Sequence, residues 1–184
     1  MDVLSRIAAR TPSPGRPALV GIDGVDGSGK TRFAAPLADA YARAGRGALV
    51  VHEDDFLNPR AVRYRLGPDS PEGFFLDSYN LPALAANVLD PIARPGEIRI
   101  VPGSFDFRTD TPRDTEPVGV PPDAVVIVEG MFLHRAELAD RWDLSVFLEV
   151  PFAETARRLR SVTAATLIPS TRRCAATSTG SGTT

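Results

Sequence analysis

The fold is decided by residues 18–31, which read ALVGIDGVDGSGKT. The first six residues form an unbroken apolar run that ends in an acid, a pattern typical of a buried strand. The next eight match the spacing G-x-x-x-x-G-K-[ST], and from Lys30 to Ala44 apolar residues recur with helical spacing before Gly45. The stretch therefore predicts a strand, a glycine-rich loop and a helix in immediate succession.

This loop predicts a binding site for the phosphates of a nucleotide. Glycines let successive backbone N–H groups point inward at phosphate oxygens, and the following helix presents its positive end to the same charge. Lys30 is expected to neutralise the transferred phosphoryl group and the Thr31 hydroxyl to ligate Mg²⁺. The chain's only lysine is Lys30, so the Asn-Lys-x-Asp segment of a GTPase is absent and ATP is expected. The predicted nucleotide-binding residues are Gly24, Val25, Asp26, Gly27, Ser28, Gly29, Lys30 and Thr31.

Length and composition fit one domain that binds neither membranes nor nucleic acid. The chain has 184 residues, of which 43% are hydrophobic and 24% charged, with a net charge of −2. Its basic residues are not gathered in one block, and no stretch approaches transmembrane length. The single cysteine, Cys174, cannot form an intrachain disulfide, so a reduced, cytoplasmic setting is expected.

Further apolar runs predict the rest of the sheet. Strands alternating with helices, with continuous rather than alternating apolar runs, indicate a parallel sheet buried on both faces. The prediction is a three-layer α/β P-loop NTPase fold, with a mostly parallel sheet covered by helices on both faces. Trp142 and Phe147 are expected to pack in its core. Further strands are predicted at 48–51, 98–101, 125–128 and 144–150, and further helices at 81–92, 134–141 and 152–160.

Acidic residues follow two of the predicted strands. Asp54 and Asp55 come after the strand at 48–51, and Glu129 ends the strand at 125–128. Parallel strands commonly present functional groups at their carboxyl ends, and a carboxylate near a γ-phosphate can accept the proton of an attacking hydroxyl. Solvated acids at strand ends would produce the same pattern. The sequence does not choose between Asp54 and Asp55 as the base.

These motifs together resemble the uridine kinase and phosphoribulokinase family of P-loop kinases, and more closely its bacterial uridine kinase-like branch. In that family the second strand ends in an acid, a small residue and Phe, which resembles residues 54–56 (DDF). A later strand ends in Glu-Gly, which resembles residues 129–130. The resemblance implies that Asp54 is the general base and that Thr31, Asp54 and Glu129 hold Mg²⁺.

The resemblance covers most of residues 18–160 and also implies an acceptor side. Residues 69–74 (DSPEGF) resemble a segment whose Asp binds the sugar hydroxyls of the acceptor. The resemblance implies that Asp69 has this role. Residues 105–107 (FDF) resemble a Tyr-Asp-Phe segment that lies beside the nucleobase, which implies that Phe105 faces the acceptor. Phe105 replaces the tyrosine, however, and Asp110 stands about where nucleoside kinases place histidine. In an arginine-rich loop, Tyr64 is a further candidate contact, although a solvated loop is the commoner explanation.

The chain is predicted to divide into an N-terminal helix and linker (1–17), a P-loop kinase domain (18–160) and an atypical tail (161–184). In related kinases the helix at 152–160 continues into a lid whose arginines close over the phosphates, which implies that Arg157 contacts the nucleotide. The tail is instead rich in Thr, Ala, Ser and Gly. Codons can be chosen for the tail so that, when they are read in a shifted frame, they encode a string that resembles that lid. We therefore hypothesise a frameshift. A divergent, disordered terminus is the alternative.

The sequence as a whole predicts an ATP- and Mg²⁺-dependent kinase with Asp54 and Lys30 as catalytic residues. Its partner is a small-molecule phosphate acceptor, expected to be a nucleoside such as uridine. Pantothenate or a sugar phosphate is the alternative acceptor, and a truncated nucleotide-binding module with little catalysis is the alternative function. The sequence leaves open whether the chain forms a homo-oligomer.

Overall fold

Within the described residues, four parallel strands form the central sheet. A computed structural model describes the backbone of residues 1–166 and the side chains of residues 1–160. The strands are β1 (Ala18–Asp23), β2 (Ala48–His52), β3 (Val125–Gly130) and β4 (Leu144–Phe147). They lie in the order β2-β3-β1-β4, so β3 lies between the first two strands of the chain.

The register of the sheet brings the ends of three strands to one edge. Strand β1 pairs with β3 so that Asp23 lies opposite Gly130, and β2 pairs with β3 so that His52 lies opposite Glu129. All residues of β1 and β3 are buried, as expected for central strands of a parallel sheet. Polar residues at these strand ends therefore meet beside the glycine-rich loop, which follows β1.

Helices cover both faces of the sheet, which confirms the predicted three-layer fold. On one face, Val20 and Ile127 pack with α1 (Val3–Arg10) and α2 (Lys30–Arg43). On the other face, Leu19 and Val126 pack with a helical stretch, α5, which comprises Leu81–Leu84, a π-helical turn at Ala85–Leu89 and Asp90–Ala93. Apolar residues alternate between the two faces along each strand, so both layers share one sheet.

The remaining elements are short or lie outside the sheet. Among the described helices, none is long and apolar enough to cross a membrane. The other helices are α3 (Arg60–Arg63), α4 (Pro71–Asp77) and α6 (Phe152–Thr166), with 3₁₀ turns at Glu53–Phe56 and Ala139–Arg141. Two antiparallel ladders join Arg99–Ile100 to Val118–Gly119 and Phe105–Asp106 to Thr111–Pro112.

Several sequence predictions need correction. The segment 134–141 is not an α-helix, because its backbone bonds from Arg135 to Phe132 and from Leu138 to Arg135 close 3₁₀-type turns. The predicted strand at 98–101 shortens to a two-residue antiparallel ladder outside the sheet. Phe147 is 57% exposed rather than buried in the core. Trp142 packs against the core, as predicted. The strand predicted at 144–150 ends at Phe147.

The C-terminal predictions are only partly within the described residues. Helix α6 extends the predicted helix at 152–160 to Thr166. The predicted tail at 161–184 begins within this helix, whereas its residues 167–184 and the frameshift hypothesis lie outside the described residues. The division at residue 17 stays a prediction, although α1 packs against α2 through the buried side chain of Ala8.

Truncating Leu37 tests the layer formed by α2. Its side chain is fully buried against β1 and β3. We expect Leu37→Ala to lower the free energy of unfolding by about 2–5 kcal/mol, because it removes apolar contacts and leaves a cavity. Urea unfolding would measure this. Asp39→Ala, on the exposed face of the same helix, is the control and should change stability by less than about 0.5 kcal/mol.

Candidate active site

The glycine-rich loop joins β1 to α2 in a conformation that depends on its glycines. Gly27 and Gly29 have φ angles of 74° and 96°, in the left-handed region that residues with side chains rarely adopt. A Cβ at Gly27 would also lie 3.0 Å from the Thr155 carbonyl oxygen and 3.1 Å from Cγ of Leu159. Helix α6 therefore packs directly against the outside of the loop.

Lys30 and Thr31 begin α2 and line a cavity of about 200 Å³. The Lys30 ammonium donates to the carbonyl oxygens of Gly24 and Val25, at 2.9 and 3.2 Å. The Thr31 hydroxyl donates to Oε1 of Glu129 at 2.8 Å. The predicted phosphate-binding residues thus meet one of the predicted metal-side carboxylates.

Glu129 connects three elements at the carboxyl edge of the sheet. Its Oε1 accepts the bond from Thr31 and lies 2.6 Å from Nδ1 of His52. The hydrogen bond to Glu129 raises the pKa of His52 above its ordinary value, although partial burial opposes this. Sequence reasoning missed His52 as a site residue. Its contact with Glu129 depends on the register between β2 and β3, for which the sequence pattern offers no signal.

Asp54 and Asp55 have different surroundings. Asp54 lines the same cavity as Lys30 and accepts a hydrogen bond from the Tyr79 hydroxyl at 3.2 Å. Desolvation by the surrounding protein raises the pKa of Asp54, although the residue is exposed at the cavity, and the bond from Tyr79 offsets this only in part. Asp55 instead pairs with Arg113 at 3.3 Å, and the described lining of the cavity does not include it. The geometry therefore distinguishes Asp54 from Asp55, which the sequence could not do.

Glu53 lies behind this site and is fully buried. Gly130 makes room for it, because a Cβ there would overlap Oε2 of Glu53. Within the part of the chain that the structure describes, neither carboxylate oxygen has a well-formed hydrogen bond, although the Met131 backbone lies close enough to lower its pKa slightly. Burial dominates and raises the pKa of Glu53 well above its ordinary value.

Glu53→Gln should stabilise the protein at high pH. A carboxyl whose pKa is higher in the folded state than in the unfolded state favours folding only while it is protonated. Stability is therefore lost as the pH rises above the pKa of this carboxyl in the unfolded state. We expect Glu53→Gln to raise the free energy of unfolding at about pH 8 by on the order of 1 kcal/mol, with no gain at about pH 4. Urea unfolding at the two pH values measures this. Glu97→Gln, an exposed control, should show no such difference.

The predicted acceptor residues lie outside this cavity in the structure. Asp69 is exposed, Tyr64 is 47% exposed with the Arg63 guanidinium 5.4 Å from its ring centre, and Phe105 is only 5% exposed. The described lining of the cavity includes none of these three predicted contacts. Their roles as substrate contacts stay predictions.

The arginines of α6 have different partners, and the role of Arg157 as a nucleotide contact stays a prediction. Arg157 is paired with Glu154 at 2.8 Å on the surface of the helix. Arg158 was not selected from the sequence, yet its Nη1 donates to the carbonyl oxygens of Gly27 and Ser28 at 3.3 and 3.2 Å. Arg158 thus contacts both Glu154 on α6 and the loop, whereas the described partner of Arg157 is Glu154.

Comparisons with known proteins identify the family of the chain, although no family model matches it. A uridine kinase of Deinococcus deserti is 32% identical over 143 residues, which cover 73% of this chain and 62% of the relative. A uridine kinase of Lactobacillus helveticus is 26% identical over 141 residues, with the same shares. This chain belongs to the uridine kinase-like family of P-loop kinases. The uridine kinase-like chain spans 62% of the length of each of these relatives.

A solved structure supports the fold of the uridine kinase-like chain. It is described as a possible uridine kinase from Bacillus stearothermophilus and superposes with a TM-score of 0.69. The match covers 90% of this chain and 93% of that chain at 23% identity. At this identity the likeness concerns the fold, and the chemistry depends on the residues of the site.

The residues of the uridine kinase-like site fit a magnesium ion. Thr31, Asp54 and Glu129 offer hydroxyl and carboxylate oxygens, the ligands that Mg²⁺ prefers. Within residues 1–160 there is no cluster of three or more His, Cys, Asp or Glu side chains that could hold a metal alone. Mg²⁺ is usually held by one or two carboxylates together with substrate phosphates, which agrees with this sparse set.

Proposed function

We propose that this chain is a kinase that transfers the γ-phosphoryl group of ATP to a hydroxyl of a small molecule. One observation carries the proposal: a single cavity brings together Lys30 and Thr31 from α2, Asp54 after β2 and Glu129 from β3. A phosphate loop alone would serve any nucleotide-binding protein. The addition of the Asp54 carboxylate in the same cavity supports transfer to an acceptor hydroxyl.

Each side chain has a distinct role in the proposed reaction. The loop N–H groups and Lys30 hold the phosphates, and Lys30 follows the transferred group as its charge moves. Asp54, oriented by Tyr79, accepts the proton of the attacking hydroxyl. Mg²⁺ held by Thr31, Asp54 and Glu129 would neutralise phosphate charge.

The proposed acceptor is a nucleoside such as uridine, because the two sequence relatives are named uridine kinases. Asp69, Phe105 and Tyr64 are its proposed contacts, and Arg157 is the proposed lid contact to ATP. These contacts require movement of the acceptor-side segments toward the cavity, as closure around substrate commonly produces. A nucleotide-binding module with little catalysis is the alternative function.

An acceptor panel tests the proposal. ADP release would be measured with Mg-ATP and uridine, cytidine, pantothenate or ribose 5-phosphate, with Lys30→Ala as the control. Stimulation by one acceptor that is lost in Lys30→Ala would support the kinase and name its substrate. ATP binding with no stimulation by any acceptor would favour the nucleotide-binding module.

A further inference from the structure

His52 contacts the phosphate cavity only through another residue. Its Nδ1 lies 2.6 Å from Oε1 of Glu129, and the described lining of the cavity includes Glu129 but not His52. An ionised carboxylate only accepts hydrogen bonds, so Nδ1 carries the hydrogen of this pair and donates it. Hydrogen bonds to a charged acceptor at this length belong to the stronger class in proteins. Any effect of His52 on a bound nucleotide must therefore pass through Glu129.

The sheet and α2 bring two donors to the same carboxylate. In the parallel pairing of β2 with β3, His52 is the register partner of Glu129. Val50, two residues earlier and therefore on the same face of β2, packs against the core layer that includes Leu37 of α2. Thr31, in the first turn of α2, donates its hydroxyl hydrogen to Glu129 at 2.8 Å. One donor thus comes from the neighbouring strand and the other from the helix that covers it.

Both described hydrogen bonds of Glu129 end on Oε1. The two oxygens of a carboxylate offer about four lone-pair sites in total, so two donors use the acceptor capacity of Oε1. Oε2 keeps its own capacity for a cation or for a water molecule on that cation. The Glu129 side chain is 7% exposed, so bulk water competes little for the bonds to Oε1.

The same bonds orient the Thr31 hydroxyl. Because its hydrogen points to Oε1 of Glu129, its oxygen lone pairs remain free to ligate a metal. The terminal torsion of a glutamate is broad and roughly two-fold, so a carboxylate with one donor can exchange its two oxygens more readily than one with two donors. His52 therefore restricts the orientation of Glu129 and, through it, that of Thr31.

The surroundings of His52 argue against a purely structural role. Its side chain is 43% exposed, and β2 is an outer strand of the described sheet. Burial of a half-exposed ring contributes little to the core. The partner of His52 is instead a nearly buried acid that faces the phosphate loop, so the bond orders the site more than it stabilises the fold.

We propose that His52 is a positioning residue for the metal side of the site. It holds the Glu129 carboxylate so that Thr31 and Glu129 present their oxygens to Mg²⁺ together. The inference rests on the proposed function, which supplies the metal–nucleotide complex. Residues that hold a metal ligand in this way commonly change metal affinity by about 10–100-fold when they are replaced.

Calorimetry with AMP-PNP, an ATP analogue that resists transfer of its γ-phosphoryl group, tests this role without turnover. The affinity for AMP-PNP would be measured with Mg²⁺ and with EDTA, and the ratio of the two affinities is the gain due to the metal. We expect His52→Ala to lower this ratio about tenfold while the affinity in EDTA stays unchanged. His52→Asn should restore most of the ratio, because its amide N–H can donate from the position of Nδ1.

His134→Ala is the matched control. His134 is the only other histidine of the chain, and its side chain is 37% exposed and lies 3.3 Å from Asp23. This variant should keep the wild-type ratio. Urea unfolding of all three variants should give the wild-type midpoint, which shows that a change in the ratio does not come from a loss of folded protein.

The outcomes separate the positioning role from the kinase. An equal ratio in wild type and His52→Ala, or no gain from Mg²⁺ in wild type, would overturn the role of His52 even if ADP release occurs. Equal losses of affinity in Mg²⁺ and in EDTA would overturn it as well, and so would a failure of His52→Asn to recover the ratio. A ratio that depends on His52, without ADP release from ATP, would support the positioning role and refute the kinase.

Discussion

Lys30→Ala is expected to lower acceptor-stimulated ADP release by about 10²–10³-fold, the usual effect of removing a group that stabilises developing charge. The chain has no other lysine to replace it. Its described hydrogen bonds go to the carbonyl oxygens of Gly24 and Val25, within the same loop. The substitution should therefore leave the core intact, and its effect should fall on turnover rather than on stability.

The measurement is ADP release at saturating acceptor together with urea unfolding of the same variant. Arg43→Ala is a matched control, because Arg43 is an exposed cation at the opposite end of α2. It should keep full activity. If Lys30→Ala retained more than about a tenth of wild-type turnover, its proposed contact with the transferred phosphoryl group would be wrong.

Asp54→Asn should lower kcat by about 10²–10⁴-fold, because an amide cannot accept the proton of the acceptor hydroxyl. The affinity for ATP should change little, since the loop and Lys30 remain. Wild-type kcat should rise with pH as Asp54 loses its proton. This acid limb of the pH profile should disappear in Asp54→Asn.

Asp55→Asn is the matched comparison. Asp55 pairs with Arg113 at 3.3 Å, so its loss should loosen the acceptor-side segment and change kcat by less than about tenfold. The pH profile of Asp55→Asn should keep the acid limb. The reverse pattern, with the larger loss and the missing limb in Asp55→Asn, would assign the base to Asp55 instead.

The parts of the fold that the sequence predicted are those with local signals. The apolar runs at 18–23 and 125–128 indicated strands directly, because such runs must be buried on both faces of a parallel sheet. The glycine spacing likewise indicated the loop, and the helical period from Lys30 indicated α2. Asp54 and Glu129 followed from their places at strand ends, and the structure brings both into one cavity.

The parts that the sequence did not predict depend on tertiary contacts. Burial of Glu53 depends on the space left by Gly130, and the role of His52 depends on the register with Glu129. Nothing in the local pattern carries that information. Phe147 was expected in the core because large aromatic residues are usually buried. It lies instead at the end of β4, where 57% of it is exposed.

The strand order has a consequence for how the protein is made. β1 pairs with β3 and β4, and β2 pairs with β3, so neither early strand gains a described sheet neighbour until Val125 has been synthesised. Such distant pairing slows folding and prolongs the exposure of apolar segments on the ribosome. The nascent chain should therefore depend on chaperones until β1 can pair with β3 and β4. The soluble yield of the protein should improve when translation is slowed or the temperature is lowered.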